Sequence, residues 1–223
     1  MNLTLFDLDG TLLPGDSDHA FGQFVVSLGW ADAAEHQRRN DQFFADYQAG
    51  RLDMKAYVDF ATAPWRDRSA NELDAAMGRF LREVMRPQLH PAALALVRRH
   101  QASGDLVAIV TATNDFVTRP IAGLFGVDVL IATDLARDVQ GRATGAIQGV
   151  AAFREGKIKR VVDWLATLAQ TMNSFERSTF YSDSINDLPL LECVRHPVAT
   201  NPSPPLALVA QQRGWPVLNL FHP

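Results

Sequence analysis

Apolar residues fall into two spacings along this chain, and the change between them marks its organisation. The chain opens with the short dense run "LTLF" (3–6), which stops at the acids of "DLDGT". From Asp16 to Met85 apolar positions recur every third or fourth residue, in "AFGQFVVSLGW", "AAEHQRRNDQFFADYQAG", "MKAYVDFATAP" and "SANELDAAMGRFLREVM". That is the period of amphipathic helices, and Ser69 and Glu72 stand at capping-box spacing before the last of them. From Pro87 the pattern alternates: helix "PAALALVRRHQ" with Gly104 as its stop, strand "LVAIVTA", helix "FVTRPIAGLFG" and strand "VDVLIAT". A glycine-rich hairpin, "DVQGRATGAIQG", precedes helix "KIKRVVDWLATLAQ", strand "STFYS", helix "NDLPLLECV", strand "PVAT" and "WPVLNL".

Short β-branched runs alternating with amphipathic helices predict a doubly wound parallel sheet with helices on both faces. Because "LTLF" has the character of the later strands, the helical block interrupts an α/β domain rather than preceding it. The expected organisation is an α/β core from 1–15 and 87–223, with a helical cap over 16–86 inserted after the first strand. No internal repeat or low-complexity tract breaks this pattern.

Composition narrows the function. With 223 residues, 47% of them hydrophobic, the chain can bury a full core. Its single cysteine, Cys193, rules out an internal disulfide framework and suits a reducing compartment. No segment has the apolar length of a membrane span, and "MNLTLFDLDG" carries acid where a secretion signal carries Lys or Arg, so a cytoplasmic location is expected. A net charge of −4, with Lys and Arg scattered, offers no basic field for nucleic acid or an anionic membrane.

Ligands of open parallel sheets sit beyond the carboxyl ends of the strands, so the residues there are the test of function. Asp7 and Asp9 end the first strand, Thr111 ends "LVAIVT" ahead of Thr113 and Asn114, and Asp183 and Asp187 follow "STFYS". Lys157 begins the helix leading into that strand. Each has an ordinary reading: Asp-Gly as a turn, Asp183, Ser184 and Asp187 as helix caps, Lys157 as a solvated first-turn residue. Together they crowd four carboxylates onto one rim, where repulsion amounts to several kcal/mol at intermediate dielectric. Such a cluster implies a divalent cation, and all-oxygen ligands point to Mg²⁺ rather than zinc.

"DLDGT", Thr111 in "IVTAT", Lys157 in "REGKIKR" and "YSDSINDLPLL" together resemble the four motifs of the haloacid dehalogenase superfamily of phosphohydrolases. The run from Pro91 to "LLECV" is similar to its phosphoserine phosphatase-like branch, subfamily IB, which carries a helical cap after the first motif. The resemblance implies a Mg²⁺-dependent phosphomonoesterase acting on a small phosphorylated metabolite. Asp7 then corresponds to a nucleophile that forms an aspartyl-phosphate, and Asp9 to the general acid/base. Thr111 and Lys157 correspond to the groups that stabilise the transferring phosphoryl. Asp7, the backbone carbonyl of Asp9, and Asp183 correspond to metal ligands. Asp187 corresponds either to a further ligand or to a group that orients the metal's water or Lys157.

Specificity is expected from the cap. The family's amine-binding glutamate falls at Asp16, a shorter acid, and no cap arginine matches around Arg51, Arg66 or Arg68. Asp18 and His19 lie close by, each able to meet a cationic group or merely to face solvent, and Asn114 is a second candidate for binding substrate. The cap carries more acids than bases. Amino-alcohol phosphates are therefore expected, histidinol phosphate ahead of phosphoserine. His36, His90, His100, His196 and His222 show no metal-ligand spacing. Three other readings share the motifs: a phosphotransferase of the same superfamily, a phospho-accepting signalling module, and a catalytically inert binding protein.

Overall fold

The computed structural model describes residues 1–221, so His222 lies outside the described residues. Its centre is a six-stranded parallel sheet in the order β3-β2-β1-β6-β7-β8. These strands are β1 (Leu3–Phe6), β2 (Leu106–Asn114), β3 (Val129–Thr133), β6 (Ser178–Ser182), β7 (His196–Thr200) and β8 (Val217–Leu218). β4 (Leu135–Arg137) and β5 (Ala143–Ile147) form a separate antiparallel hairpin. The chain winds outward from β1 through β2 to β3, then returns to β1's other side with β6. The point where the winding reverses is therefore the crevice between β1 and β6.

Alternation along β1 divides the core. Leu3 and Leu5 join Val161, Leu165, Leu191 and Leu206 on one face, beneath α7 (Glu155–Thr167), α8 (Leu188–Leu191) and α9 (Pro204–Arg213). Phe6 joins Val97, Ile109, Val117 and Ile121 on the other, beneath α5 (Pro91–Ala102) and α6 (Asp115–Leu124). Both faces of the sheet are thus covered, which is why its strands read as continuous apolar runs.

Between β1 and α5 lie four helices: α1 (Ser17–Ser27), α2 (Ala33–Gln48), α3 (Met54–Thr62) and α4 (Ala70–Phe80). α4 starts on the expected capping box of Ser69 and Glu72. Its end widens into a π turn over Leu81–Met85 and tightens over Arg86–Gln88, where Pro87 lacks a donor. Phe21, Phe24, Trp65 and Phe80 share a hydrophobic cluster with α5 and α6, and Trp65 stacks on Phe116 at 4.2 Å. The inserted helices consequently rest on one face of the core through common packing.

Two elements begin earlier than periodicity predicts. α1 starts at Ser17 rather than Ala20, because the Asp16 carboxylate accepts the His19 N–H at 2.8 Å. α7 starts at Glu155, two residues before Lys157. The predicted helix over 186–194 is shorter: a 3₁₀ turn at Ile185–Asp187 leads into only Leu188–Leu191.

Candidate active site

The loop after β1 is built for backbone convergence. The N–H groups of Thr11, Leu12 and Leu13 all reach the Leu8 carbonyl, and Asn201 donates to the carbonyls of Gly10 and Thr11. Gly10 has φ +73°, and a Cβ there would collide with the Asp183 carboxylate. Thr11 is fully buried; its hydroxyl donates to Asp183 Oδ1 at 3.0 Å and accepts the Asp183 N–H at 3.0 Å. The glycine and threonine of "DLDGT" thereby bring the end of β1 against the residue that follows β6.

Asp7 and Lys157 form the buried centre. Lys157 reaches back from α7 to donate to Asp7 Oδ1 at 2.9 Å and to Asp187 Oδ2 at 2.7 Å, and its side chain is 2% exposed. The solvated reading of this lysine is thus displaced by a buried ion-pair triad. Burial opposes its charge, but the carboxylates of Asp187 and Asp7 outweigh that and hold it above the usual lysine range. Burial raises Asp7 to about 6 against the opposing pull of Lys157, and Asp183 is held well above its ordinary value by burial and by Asp7 and Asp187.

Asp9 is clamped on both oxygens. Its Oδ1 accepts the Ser17 N–H at 2.7 Å and its Oδ2 the Thr113 hydroxyl at 3.0 Å. Burial, then the charge of Asp16, push it well above the normal carboxylate range. Thr111 is buried at the same rim, where its hydroxyl accepts the Thr113 N–H at 3.2 Å.

A cavity of ≈ 280 Å³ opens over these groups. Its floor comes from Asp7, Asp9, Thr111, Thr113 and Asp183. Its cap wall comes from Asp16, His19 and Asn40, with Phe43, Phe44, Tyr47, Leu52, Met54 and Tyr57. Among the described residues no Lys or Arg lines it. Lys157 stands behind Asp7 rather than on the wall.

Not every residue singled out from sequence reaches this cavity. Asp187 is absent from the wall, because one of its oxygens takes both Lys157 and the Ser182 hydroxyl, the latter at 2.7 Å. Asp187 therefore holds Lys157 from off the cavity wall, the lysine-orienting one of its two expected roles. Asn114 is also off the wall: its Oδ1 caps α6 at the Val117 N–H (3.2 Å) and its Nδ2 donates to Asp18 Oδ1 (3.2 Å). The expected substrate contact is corrected to a junction between cap and core, because a strand-end asparagine is consumed by the helix it starts. Asp18 likewise turns from the cavity toward Asn114 and Tyr57, whereas Asp16 both caps α1 and faces the cavity. Thr113 and Ser182 lie inside the quoted motifs without a role assigned to them, and Tyr47 and Tyr57 had no motif to announce them; for Tyr47 the apolar spacing of 43, 44 and 47 on one helix was the available signal.

The fit to a cation rests on charge and donor type. Asp7, Asp183 and Asp187 oppose the single ammonium of Lys157, and no hydrogen bond from the described residues reaches the second oxygen of Asp7 or Asp183. Among the described residues, no three acid, histidine or cysteine side chains converge as a ready-made metal cage. Two carboxylates with room for water and a phosphate oxygen match Mg²⁺, which is bound through one or two carboxylates and keeps several waters.

Paired carboxylates thus stand at the reversal point of a doubly wound parallel sheet, beneath the inserted helices. The family model of the haloacid dehalogenase-like hydrolases matches residues 4–192, and the chain belongs to that family. A histidinol-phosphatase of Neisseria meningitidis serogroup C (strain 8013) is 43% identical over 218 residues, covering 98% of each chain. A crystal structure of a protein with unknown function from Bordetella pertussis Tohama I is 50% identical, with a TM-score of 0.93 over 99% of both chains. A substrate-bound phosphoserine phosphatase, 15% identical, shares the fold with a TM-score of 0.67 over 97% of this chain and 91% of its own. Within the family the chain is a phosphatase, a phosphoric monoester hydrolase. Among the described residues no helix is long and apolar enough to cross a membrane.

Proposed function

We propose that the protein hydrolyses a small amino-alcohol phosphate, histidinol phosphate before phosphoserine, through an aspartyl-phosphate on Asp7. The carrying observation is the cavity, which joins Asp7 to an aromatic cap wall bearing Asp16 and, among the described residues, no lysine or arginine. A substrate carboxylate would find no lysine or arginine there, whereas an amine would meet Asp16 and an imidazole would pack on Phe43, Tyr47 or Tyr57. The similarity to a histidinol-phosphatase over nearly the full length supports the same substrate.

In the first step an Asp7 oxygen attacks phosphorus, and the bond to the leaving oxygen breaks as Asp9 gives that oxygen its proton. In the second, Asp9 takes a proton from water as the water attacks the aspartyl-phosphate, releasing phosphate and restoring Asp7. Ser17 N–H can only donate, so the mobile proton of Asp9 resides on Oδ2. The Thr113 hydroxyl beside it rotates to donate to the carboxylate or accept from the acid. Lys157 fixes Asp7 and offsets charge, and Thr111 holds a phosphoryl oxygen. Mg²⁺, held by Asp7, the Asp9 carbonyl and Asp183, would supply the remaining positive charge against the phosphate dianion.

The test is a comparison of kcat/KM with Mg²⁺ for histidinol phosphate, phosphoserine, a sugar phosphate and a nucleoside monophosphate, repeated with Asp16→Ala. Histidinol phosphate should lead and should lose most from the substitution. A sugar phosphate cleaved best, or indifference to Asp16→Ala, removes the substrate assignment.

A further inference from the structure

The first turn of α1 carries a buried carboxylate that the chemistry above does not use. Asp18 is 7% exposed. An acid in a first helical turn ordinarily complements the helix dipole from the surface; this one instead spans two parts of the molecule. Its Oδ2 accepts the Tyr57 hydroxyl from α3 at 2.8 Å, and its Oδ1 accepts Asn114 Nδ2 from the end of β2 at 3.2 Å.

We propose that Asp18 is a positioning residue for substrate specificity: it holds Tyr57 on the cap wall and ties that wall, through Asn114, to the strand end carrying Thr111 and Thr113. Tyr57 lines the cavity and packs edge-on against Phe43, another wall residue, with ring centroids 5.4 Å apart. Asn114 is itself fixed by capping α6, so the strut is anchored at its core end. The adjacent residue, Ser17, supplies the N–H that orients Asp9. One helical turn therefore sets both the acid/base and the wall against which the organic part of the substrate lies. Both oxygens of Asp18 are spent on neutral donors, leaving the cationic group of the substrate to Asp16.

This inference rests on the substrate's reaching the cap wall, so its test compares two substrates. Histidinol phosphate extends to the wall; acetyl phosphate is too short to use it. Steady-state kinetics with Mg²⁺ would cover wild type, Asp18→Ala, Asp18→Asn, Tyr57→Phe and the Asp18→Ala/Tyr57→Phe double variant. Asp18→Ala and Tyr57→Phe should each cut kcat/KM for histidinol phosphate by about tenfold or more, chiefly through KM, and well beyond any loss on acetyl phosphate. The double variant should be no worse than the poorer single one, because both remove the same bond. Asp18→Asn, which keeps volume and one acceptor, should recover part of the loss. Equal losses on both substrates, or additive losses in the double variant, overturn the proposal. Should Asp18→Ala fail to fold, Tyr57→Phe removes one oxygen only and decides the question by the same substrate comparison. A wild type that cleaves another ester better refutes the histidinol phosphate reading alone, and the comparison then runs with that ester against acetyl phosphate.

Discussion

The Lys157 ammonium sits 2.9 Å from Asp7 Oδ1 with both side chains almost wholly buried, and its other partner, Asp187, lies 2.7 Å away. Deleting one member of a buried pair leaves charge uncompensated, so Lys157→Met should cost about 3–5 kcal/mol of stability. It should also cost about 10²-fold or more in turnover, by analogy with loss of a donor to a developing oxyanion. Thermal melts alongside single-turnover kinetics check both. An unchanged rate would return Lys157 to a purely structural role.

The two opening aspartates should separate by chemistry. Asp7→Asn should form no phosphoenzyme. Asp9→Asn should still accumulate some from an aryl phosphate, whose good leaving group needs little protonation, while failing on an alkyl ester. Rapid-quench labelling followed by peptide mapping reads the result; label on a residue other than Asp7 sinks the assignment.

Removing the Thr113 hydroxyl should show the same leaving-group dependence in milder form. Thr113→Val keeps shape but leaves Asp9 Oδ2 without its partner. Turnover of an alkyl phosphate should fall about tenfold or more, with a smaller loss for an aryl phosphate. Equal losses on the two esters would mean that Thr113 merely packs.

Burial raises Asp7 to about 6 and Asp18 to about 7, and Asp9 and Asp183 rise in the same direction. A carboxylate with a raised folded-state pKa favours folding when protonated. Its contribution is whole below the unfolded value of about 4 and is lost as pH rises through the folded one. In chelator, this group of acids should therefore weaken the fold between about pH 4 and pH 7. Mg²⁺ binds the ionised carboxylates, so its increment in Tm should be larger at pH 8 than at pH 5. Equal increments at both pH values would argue against Asp7 and Asp183 as the ligands.

Gly10→Ala tests the close approach of two strand ends. The left-handed backbone costs an L residue about 1–2 kcal/mol. The new methyl group must also displace the Asp183 carboxylate. The variant should melt lower and need more Mg²⁺ for half-maximal activity, whereas displacement without consequence for Mg²⁺ would separate Asp183 from the metal.

Hydrophobic period and order along the chain determine the parallel sheet and the inserted helices, because burial on both faces forces dense β-branched strands and a one-sided stripe forces helical spacing. The acids at strand ends were legible for the same reason: sheet topology puts every carboxyl end on one rim. What sequence could not decide is which rim residues face the cavity. Asp16 and Asp18 are two positions apart in the same acidic stretch, and helical geometry sends one toward the cavity and the other between Tyr57 and Asn114. Asp183 and Asp187 share a motif, yet Lys157 and Ser182 draw only the second away from the cavity. Three of these partners, Tyr57, Asn114 and Lys157, stand 30 to 96 positions away in the chain. A carboxylate's role depends on which groups hold its oxygens and on whether it still faces the cavity, and only the tertiary structure brings those groups together.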